Sequence, residues 1–315
     1  MKIVFFGTPE FAAKTLEYLI DQGLEVVAVV TKPDKPQGRS GRPLPTPVKE
    51  MAREKIPDIP VFQPQKASSS EFIHTLSNYP ADVFVVVAYG EIIKQELIDM
   101  PKLACLNVHA SLLPQYRGAA PIQRAIMEGR KETGVTIMHI VRKLDAGPMI
   151  KQAKVKIGPN MTAGELHDIL QQAGAEVLVQ VLEEMEQGPV EEISQDENLA
   201  TYAKKIEQED CEIHWELPAR RLFNLIRGTS PFPGAWCRVW IKGEERRMKI
   251  LEARVVQGYT ETPGNLLEYG NDGIIVACGD ESLRLIKVKL EGKKAMTAEE
   301  FARGVPQQDV RLIRL

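Results

Sequence analysis

Short β-branched runs alternate with helical periods along the first half of the chain, and this alternation limits the possible folds more than any other feature. The strand-like runs are Lys2 to Phe6, Glu25 to Thr31, Asp82 to Ala88, Ala104 to His109 and Gly134 to Val141. Between them, helical periods lie near Ser69 to Asn78 and Pro121 to Gly129. This pattern predicts an α/β domain with a Rossmann-like, mainly parallel sheet that helices cover on both faces.

The turn after the first predicted strand, residues 7–11, reads Gly-Thr-Pro-Glu-Phe and lacks the glycine-rich fingerprint of dinucleotide-binding sheets. Those glycines allow backbone amides to approach a pyrophosphate. Here Pro9 has no amide hydrogen and Glu10 is negative, so we expect no NAD. Thr8 stands where it can cap the following helix, with Pro9 at the first helical position.

The second half of the chain has a different sequence pattern, which predicts short strands separated by glycine turns. These strands fall near Ala235 to Ile241, Arg247 to Val256, Gly264 to Glu268, Gly273 to Cys278 and Ser282 to Leu290. A helix near Pro218 to Arg227 precedes them, and a capped helix from Thr297 to Arg303 follows. We expect a small C-terminal β-barrel similar to an oligonucleotide-binding (OB) fold.

The boundary between the two halves is indicated by a change in charge. A capping box at Thr162 and Glu165 begins a helix that we expect to reach about Gln187. From Gly174 to Ala200 the chain has eight acidic residues and no Lys or Arg, which is typical of a solvated helix face and a linker. We therefore predict a sheet domain over residues 1–190, a linker over 191–206 and a barrel domain over 207–315.

The composition is that of a globular protein, with 43% hydrophobic, 26% charged and 6% aromatic residues and a net charge of −3. No apolar run is long enough to span a membrane, and the strand at the N-terminus leaves no room for a signal peptide. Because the four cysteines and five histidines are scattered, we expect reduced thiols and no metal. These features favour a cytoplasmic protein, and nothing in them requires more than a monomer.

Polar side chains end the fourth predicted strand, at the edge where parallel sheets bind ligands. Asn107 and His109 are two positions apart, so their side chains share one face of the strand. Asp145 follows in a Leu-Asp-Ala-Gly turn. An amide that binds an oxyanion, an imidazole that moves or donates a proton, and a carboxylate that sets the charge of the imidazole suit acyl transfer. Each alone has a plainer interpretation, as a structural histidine or as an aspartate in a common turn.

Several segments together resemble the folate-dependent formyltransferase family. They are Val-Val-Ala-Tyr-Gly (86–90), Asn-Val-His-Ala-Ser-Leu-Leu-Pro (107–114), Tyr-Arg-Gly-Ala-Ala-Pro-Ile-Gln (116–123), Gly-Val-Thr-Ile-Met (134–138) and Leu-Asp-Ala-Gly (144–147). Residues 7–11, the loop Pro-Asp-Lys-Pro-Gln-Gly-Arg (33–39) and Pro-Thr-Pro-Val-Lys (45–49) extend the resemblance, as does the predicted barrel. It covers essentially the whole chain.

The resemblance implies transfer of the formyl group of 10-formyltetrahydrofolate to a primary amine, and the loop and barrel narrow the acceptor to the α-amine of initiator methionyl-tRNA. Asn107 and protonated His109 are then expected to stabilise the oxyanion, and Asp145 to orient His109. No metal is needed, because the formyl group is already activated.

The same resemblance suggests where the pterin ring of the folate binds. We expect backbone contacts from the turn after the third predicted strand and a lip formed by the turn after His109. The residues concerned are Val87, Ala88, Tyr89, Ser111, Leu112, Leu113 and Pro114.

Basic residues indicate where the RNA would bind. Residues 33 to 49 contain Lys35, Arg39, Arg42 and Lys49 against only Asp34, and long exposed loops of this kind are often functional. We expect this loop to wedge into the acceptor end of the tRNA, with Arg39 nearest the chemistry. The plainer alternative is a solvated basic loop. Residues 220–254 have nine Lys or Arg against three acidic residues, and 284–294 have five against one, so the barrel can lie along phosphates.

The sequence leaves other functions open. Relatives formylate glycinamide ribonucleotide or an amino sugar nucleotide, and others hydrolyse the formyl group. The predicted barrel argues against the ribonucleotide enzymes, which typically have the sheet domain alone, and the Pro/Arg loop argues against the amino-sugar enzymes. A non-catalytic RNA-binding protein is a further alternative, which the intact set of Asn107, His109 and Asp145 disfavours.

Overall fold

The structure is a computed structural model and describes residues 1–36, 41–258 and 261–313. The chain forms two compact units. The first unit comprises Met1–Ala119, Glu132–Lys156 and His167–Ala203, and the second comprises Ala120–Lys131, Ile157–Leu166 and Lys204–Leu315. The segment predicted as a linker is thus divided, with residues up to Ala203 in the first unit.

The secondary structure follows the expected alternation and then the expected run of strands. The strands are β1 (Lys2–Gly7), β2 (Glu25–Val30), β3 (Lys35–Pro36), β4 (Pro43–Leu44), β5 (Val61–Phe62), β6 (Val83–Val87), β7 (Ala104–His109), β8 (Glu132–His139), β9 (Met149–Lys156), β10 (Ala235–Ile241), β11 (Glu244–Val256), β12 (Leu266–Gly270), β13 (Gly273–Ala277), β14 (Ser282–Leu290), β15 (Met296–Thr297) and β16 (Val310–Leu312). The helices are α1 (Glu10–Asp21), α2 (Pro47–Lys55), α3 (Ser70–Leu76), α4 (Gln95–Ile98), α5 (Pro121–Met127), α6 (Ala163–Gln187), α7 (Ala219–Thr229) and α8 (Ala298–Gly304).

The first unit is built on a sheet of seven strands in the order β5-β2-β1-β6-β7-β8-β9. The strands from β5 to β7 are parallel neighbours, whereas β7, β8 and β9 pair antiparallel. The predicted Rossmann-like, mainly parallel sheet is confirmed. Since β6 and β7 run in the same direction, their carboxyl ends, at Val87 and His109, open at the same edge.

Burial explains why the central strands were recognisable. All five residues of β6 are buried, as are the last five of β1, because helices that cover both faces select a continuous apolar run. The turn after β1 is also closely packed. A Cβ on Gly7 would lie 2.6 Å from the Cβ of Ala12 and 3.1 Å from the carbonyl oxygen of Val87.

The start of α1 differs from the expectation. Thr8 does not cap the helix; Pro9 occupies the N-cap position, and its carbonyl accepts the first helical hydrogen bonds. The Thr8 hydroxyl instead donates to the backbone oxygen of Tyr89, at 2.8 Å. The side chain therefore links the ends of β1 and β6 at the edge where the carboxyl ends of the parallel strands meet, which we call the ligand edge of the sheet.

Strand β9 had no signal in the sequence. Its residues alternate between half-buried and exposed at the edge of the sheet and include Lys151, Lys154 and Lys156. A strand that buries only part of one face lacks the apolar run by which β6 and β7 were found. Strand β8 runs from Glu132 to His139, two residues earlier than expected.

The second unit contains an antiparallel sheet in the order β12-β13-β14-β11-β10-β16, with β15 paired to β14. The edge strands β12 and β16 line one cleft, at Leu266 and Val310 among others, so the sheet curls into a nearly closed barrel. Apolar side chains fill its interior, Trp215, Ile250 and Leu285 among them. The predicted barrel is confirmed.

Helix ends follow the predicted capping signals in two places. Thr297 and Glu300 form a reciprocal capping box at α8, and Thr162 and Glu165 do the same at α6. Over residues 1–36, 41–258 and 261–313, no helix combines the length and apolar character that a bilayer crossing requires.

Candidate active site

Strand β7 carries two of the predicted catalytic residues to the ligand edge of the first unit. Asn107 lies beside Val86 of β6 and Met138 of β8, and His109 lies beside Thr136 of β8. Asn107 is half-buried, and its side-chain amide forms no hydrogen bond with any residue that the structure describes. It is therefore a donor available to a ligand.

His109 lies between two acceptors. It is 6% exposed; its Nε2 is 2.9 Å from the backbone oxygen of Tyr116, and its Nδ1 is 3.7 Å from Oδ2 of Asp145. Because a carbonyl oxygen only accepts, Nε2 must carry a hydrogen. Nδ1 then faces the Asp145 carboxylate without a hydrogen bond to it, because 3.7 Å exceeds hydrogen-bond length. The structure thus brings Asp145 to His109, as the sequence predicted.

The Asp145 carboxylate is held by the backbone. Its Oδ2 accepts the Gly118 N–H at 2.8 Å, and its side chain is 14% exposed. Asp145 itself has a left-handed backbone, with φ of +46°, which an L residue adopts only at some cost. Its carbonyl and that of Gly147 accept hydrogen bonds from Nε2 of Gln195, at 2.9 and 2.8 Å.

The turn that supplies the other partner of His109 is tied to the segment before Ala203. The Tyr116 N–H donates to the Thr201 hydroxyl at 2.9 Å, and the Arg117 N–H donates to the Thr201 carbonyl at 2.8 Å. Gly118 approaches Ala203 so closely that a Cβ would lie 2.7 Å from its carbonyl oxygen, and its φ is +118°. Only glycine fits there without displacing the backbone.

Arg117 is a fully buried cation, and each of its partners lies in the same segment. Its Nε and one terminal nitrogen donate to Oε1 of Gln195, at 3.0 and 2.8 Å. Its terminal nitrogens also donate to the two carboxylate oxygens of Glu197, at 3.2 and 3.1 Å. Hydrogen bonds from Arg117, and then from Lys143, lower the pKa of Glu197 to about 2.

The turn after β7 is organised by one hydroxyl. Thr136 donates to the Ser111 carbonyl at 2.7 Å and accepts the Leu113 N–H at 3.1 Å. The side chain of Gln152 donates to the same hydroxyl and to the Leu113 carbonyl, both at 2.9 Å. The predicted folate lip therefore has its backbone fixed by β8 and β9.

This arrangement determines which lip atoms can meet a ligand. Ser111 and Leu113 are buried, whereas Leu112 and Pro114 are half-buried. The carbonyls of Ser111 and Leu113 are already used by Thr136 and Gln152. The lip accordingly presents apolar side chains rather than free carbonyls.

Across the edge, the turn after β6 brings Val87, Ala88 and Tyr89 to the same end of the sheet. Ala88 is exposed and has φ of +45°. The Tyr89 ring is buried, which raises the pKa of its phenol, and its carbonyl accepts from Thr8. Ala88 is therefore the most accessible of the three residues.

The basic loop is a short hairpin in which Lys35 pairs with Leu44. Lys35 and Arg42 are exposed. Arg39, which we expect nearest the chemistry, lies outside the described residues.

Lys49 is less accessible than its place in the basic loop suggested. It is 9% exposed, and its Nζ lies 2.6 Å from Oδ2 of Asp34. Hydrogen bonds from Lys49 and from Gln63 lower the pKa of Asp34. Lys49 thus holds the base of the hairpin, and its charge is matched by Asp34.

Cations line the outer surface of the barrel in the second unit. Lys249 is paired with Lys289 across β11 and β14, and Arg254 with Arg284; Lys287 faces Glu252 between them. We call Lys249, Arg254, Arg284, Lys287 and Lys289 the basic barrel face. Like charges opposite each other on a sheet destabilise it. Arg284 is paired with Glu268 at 3.2 Å and Lys249 donates to the Pro233 carbonyl, whereas Arg254, Lys287 and Lys289 are exposed and available to an anion.

The positions that support the site were missed by sequence reasoning. Arg117 stands in a quoted motif without an assigned role, and Gln195 lay in a segment interpreted as a linker. Thr136 had one usable signal, its place on the strand that follows the site. Gln195 had none, because its contact with Asp145 spans 50 positions.

Comparisons with known proteins find formyl transferase relatives along nearly the whole chain. Residues 1–182 match the family described as formyl transferase, and residues 205–306 match the formyl transferase C-terminal domain. Methionyl-tRNA formyltransferase of Protochlamydia amoebophila (strain UWE25) is 52% identical over 99% of this chain and 98% of its own length.

Two solved structures share the fold. HypX from Aquifex aeolicus in complex with tetrahydrofolic acid has a TM-score of 0.67 at 17% identity, over 97% of this chain and 48% of that one. WlaRD, a sugar 3N-formyl transferase, has a TM-score of 0.66 at 18% identity, over 93% of this chain and 99% of that one. These likenesses concern the fold, whereas the family matches and the relative at 52% identity confirm the resemblance first noted in the sequence. The chain belongs to the formyl transferase family.

Proposed function

We propose that this chain transfers the formyl group of 10-formyltetrahydrofolate to the free α-amino group of initiator methionyl-tRNA. The observation that carries the proposal is the His109–Asp145 pair, with its 3.7 Å contact, beside the unpaired amide of Asn107. The barrel with its basic face supports an RNA acceptor. The relative named methionyl-tRNA formyltransferase aligns over 99% of the chain.

The chemistry begins when the neutral amine attacks the formyl carbon. A C–N bond forms and the carbonyl oxygen becomes negative, giving a tetrahedral intermediate. When this intermediate collapses, the bond from the formyl carbon to N10 of the folate breaks. One proton leaves the attacking amine and one is gained by N10. The Asn107 amide donates to the oxyanion, and loss of such a donor typically costs about 10²–10³ in rate.

His109 contributes its positive charge. Its Nε2 is already committed to Tyr116 at 2.9 Å, whereas the 3.7 Å between Nδ1 and Asp145 exceeds hydrogen-bond length. Nδ1 is thus the ring nitrogen from which a substrate atom can take a proton. The Asp145 carboxylate favours the charged ring and orients it.

The folate is proposed to lie between the two turns at the sheet edge. Leu112 and Pro114 supply apolar contacts to the flat ring, and the exposed backbone at Ala88 supplies hydrogen bonds. Val87, Tyr89, Ser111 and Leu113 hold these two turns in shape. The apolar lip and the nearby backbone suit a heterocycle that presents alternating donors and acceptors.

The tRNA is proposed to contact both units. Lys35, Arg39 and Arg42 of the basic loop would meet the acceptor end, while Lys49 fixes the base of the hairpin through Asp34. The basic barrel face would follow phosphates. We keep residues 1–190 as the catalytic domain, 191–206 as the linker and 207–315 as the tRNA-binding domain.

The proposed reaction supplies formylated initiator tRNA for translation initiation. We accordingly propose that the protein works in the cytoplasm, as a monomer.

An assay of acceptors tests the function directly. Purified protein with 10-formyltetrahydrofolate would be given charged initiator tRNA, charged elongator tRNA, a dTDP-amino sugar and a free amine such as methionine amide. We expect initiator methionyl-tRNA to be formylated with the highest kcat/KM. Preferential formylation of the amino sugar would replace the proposal with its alternative, an amino sugar nucleotide formyltransferase.

A further inference from the structure

The turn that carries Asp145 needs support from outside itself. Asp145 has φ of +46°, and Gly147 lies so close to His139 that a Cβ would approach its carbonyl oxygen to 1.8 Å. The turn is thus both strained and crowded. The carboxylate of Asp145 lies 3.7 Å from His109, which is already a long contact. A small change in the backbone of the turn that moved the carboxylate further away would therefore break it.

Gln195 supplies that support. Its Nε2 donates to the carbonyl oxygens of Asp145 and Gly147, on either side of the turn, at 2.9 and 2.8 Å. Two hydrogen bonds from one amide fix the separation of the two carbonyls. No other side chain that the structure describes donates to either carbonyl.

Arg117 and Glu197 fix the orientation of that amide. Arg117 donates twice to Oε1 of Gln195, at 3.0 and 2.8 Å, which forces Nε2 toward the turn. Glu197 in turn holds the buried guanidinium through both carboxylate oxygens. The amide can therefore point only one way.

The same segment also fixes the second partner of His109. Thr201 binds the N–H of Tyr116 at 2.9 Å through its hydroxyl, and the Tyr116 carbonyl accepts from His109. Both groups that contact the imidazole, the Tyr116 carbonyl and the Asp145 carboxylate, are consequently positioned by residues 195–201.

We infer that Gln195 is a positioning residue for Asp145, held in its working orientation by Arg117 and Glu197. This inference rests on the proposed function, because it requires that Asp145 act on His109. Gln195 touches neither substrate in the proposed arrangement. Its loss should lower kcat and leave the KM for folate and for tRNA within about 2-fold. Outer partners that orient metal-ligating side chains are worth about 10- to 100-fold in metal affinity or activity, and we expect a similar range for an outer partner of Asp145.

Two variants separate donation from simple packing. Gln195→Ala removes the side chain. Gln195→Glu keeps its size and its acceptor for Arg117 but cannot donate to the Asp145 and Gly147 carbonyls. The matched control is Gln172→Ala in α6, since Gln172 also donates from Nε2, to Glu176 at 2.7 Å, but on an exposed helix face of the same unit.

The deciding experiment is a double-mutant cycle with Asp145→Asn, measured as kcat for initiator tRNA formylation. Thermal unfolding of every variant serves as the check on folding. We expect Gln195→Ala and Gln195→Glu each to lower kcat about 10- to 100-fold and Gln172→Ala to leave it unchanged. In the Asp145→Asn background, either Gln195 substitution should change kcat less than 2-fold, because its target has already lost its charge.

Each remaining outcome overturns one identifiable statement. Equal fold-losses in both backgrounds would mean that Gln195 acts independently of Asp145. Wild-type kcat in both Gln195 variants would also overturn the inference. If Asp145→Asn itself retained full kcat, the catalytic assignment under the proposed function would fail first.

Discussion

The His109 site and the basic barrel face differ in how their charged side chains are paired. At the site, the buried side chains have fixed partners: His109 lies beside Asp145, and Arg117 is held by Glu197. On the barrel, Lys287 and Lys289 are exposed, and Lys289 lies opposite the half-buried Lys249. Charges held by fixed partners set geometry, whereas exposed cations attract a distant anion. The first region should therefore govern kcat and the second the affinity for RNA.

The largest expected effect is at the site. Asn107→Ala, His109→Ala and Asp145→Asn should each reduce the single-turnover rate by about 10²–10³, because each removes a group that acts on the developing charge. The dissociation constant for tRNA should stay within about 2-fold of the wild-type value. Near-normal turnover in all three variants would contradict the assignment.

A loss of affinity is expected from the barrel. The double variant Lys287→Ala with Lys289→Ala removes two exposed cations at alternate positions of β14 and should weaken tRNA binding roughly 10-fold at low salt. The slope of log K against log salt should fall by about two.

The matched control for the barrel uses two exposed lysines spaced identically on β9. Lys154→Ala with Lys156→Ala should change neither the tRNA affinity nor its salt slope. If the β14 variant lost turnover with a small amine as well, its defect would lie in folding rather than in RNA binding.

An intermediate effect should come from the hydroxyl that shapes the folate lip. Thr136→Val leaves the buried Leu113 N–H without its acceptor, a loss of about 1–3 kcal/mol. We expect the KM for folate to rise by up to about 10-fold, with a smaller change in the KM for tRNA.

Thr133 offers the control on the same strand. Its hydroxyl is buried and has no hydrogen-bond partner in the part of the chain that the structure describes, so Thr133→Val should leave both KM values unchanged. Equal KM values for the Thr136→Val and Thr133→Val variants would remove Thr136 from the folate site.

The smallest expected effect is on acid stability. The pKa of Glu197 falls from its ordinary 4.5 to about 2 in the folded chain. Its contribution to stability is thus fully present above about pH 4.5 and is lost as the pH falls toward 2. In the Glu197→Gln variant, the free energy of unfolding should fall less steeply as the pH is lowered from about 4.5 toward 2. An unchanged acid limb in urea titrations between pH 6 and 3 would contradict the contact with Arg117.

Features of the fold that depend on a local sequence pattern could be predicted from the sequence. Strand β7 was placed at Ala104–His109 because an apolar run ends there in polar residues, and the capping box of α8 follows from Thr297 and Glu300 alone. Where tertiary contacts decide, the sequence was silent. The edge strand β9 has no apolar run. The burial of Lys49 depends on Asp34, and Gln195 reaches a turn 50 positions away.

A crystal structure of the protein with a stable analogue of 10-formyltetrahydrofolate would test most directly whether Asn107 and His109 act on the formyl group. We expect the formyl oxygen to lie about 3 Å from the side-chain nitrogen of Asn107 and N10 to lie on the side of His109 Nδ1. A formyl group directed away from both side chains, with the ring clear of Leu112 and Pro114, would contradict this expectation.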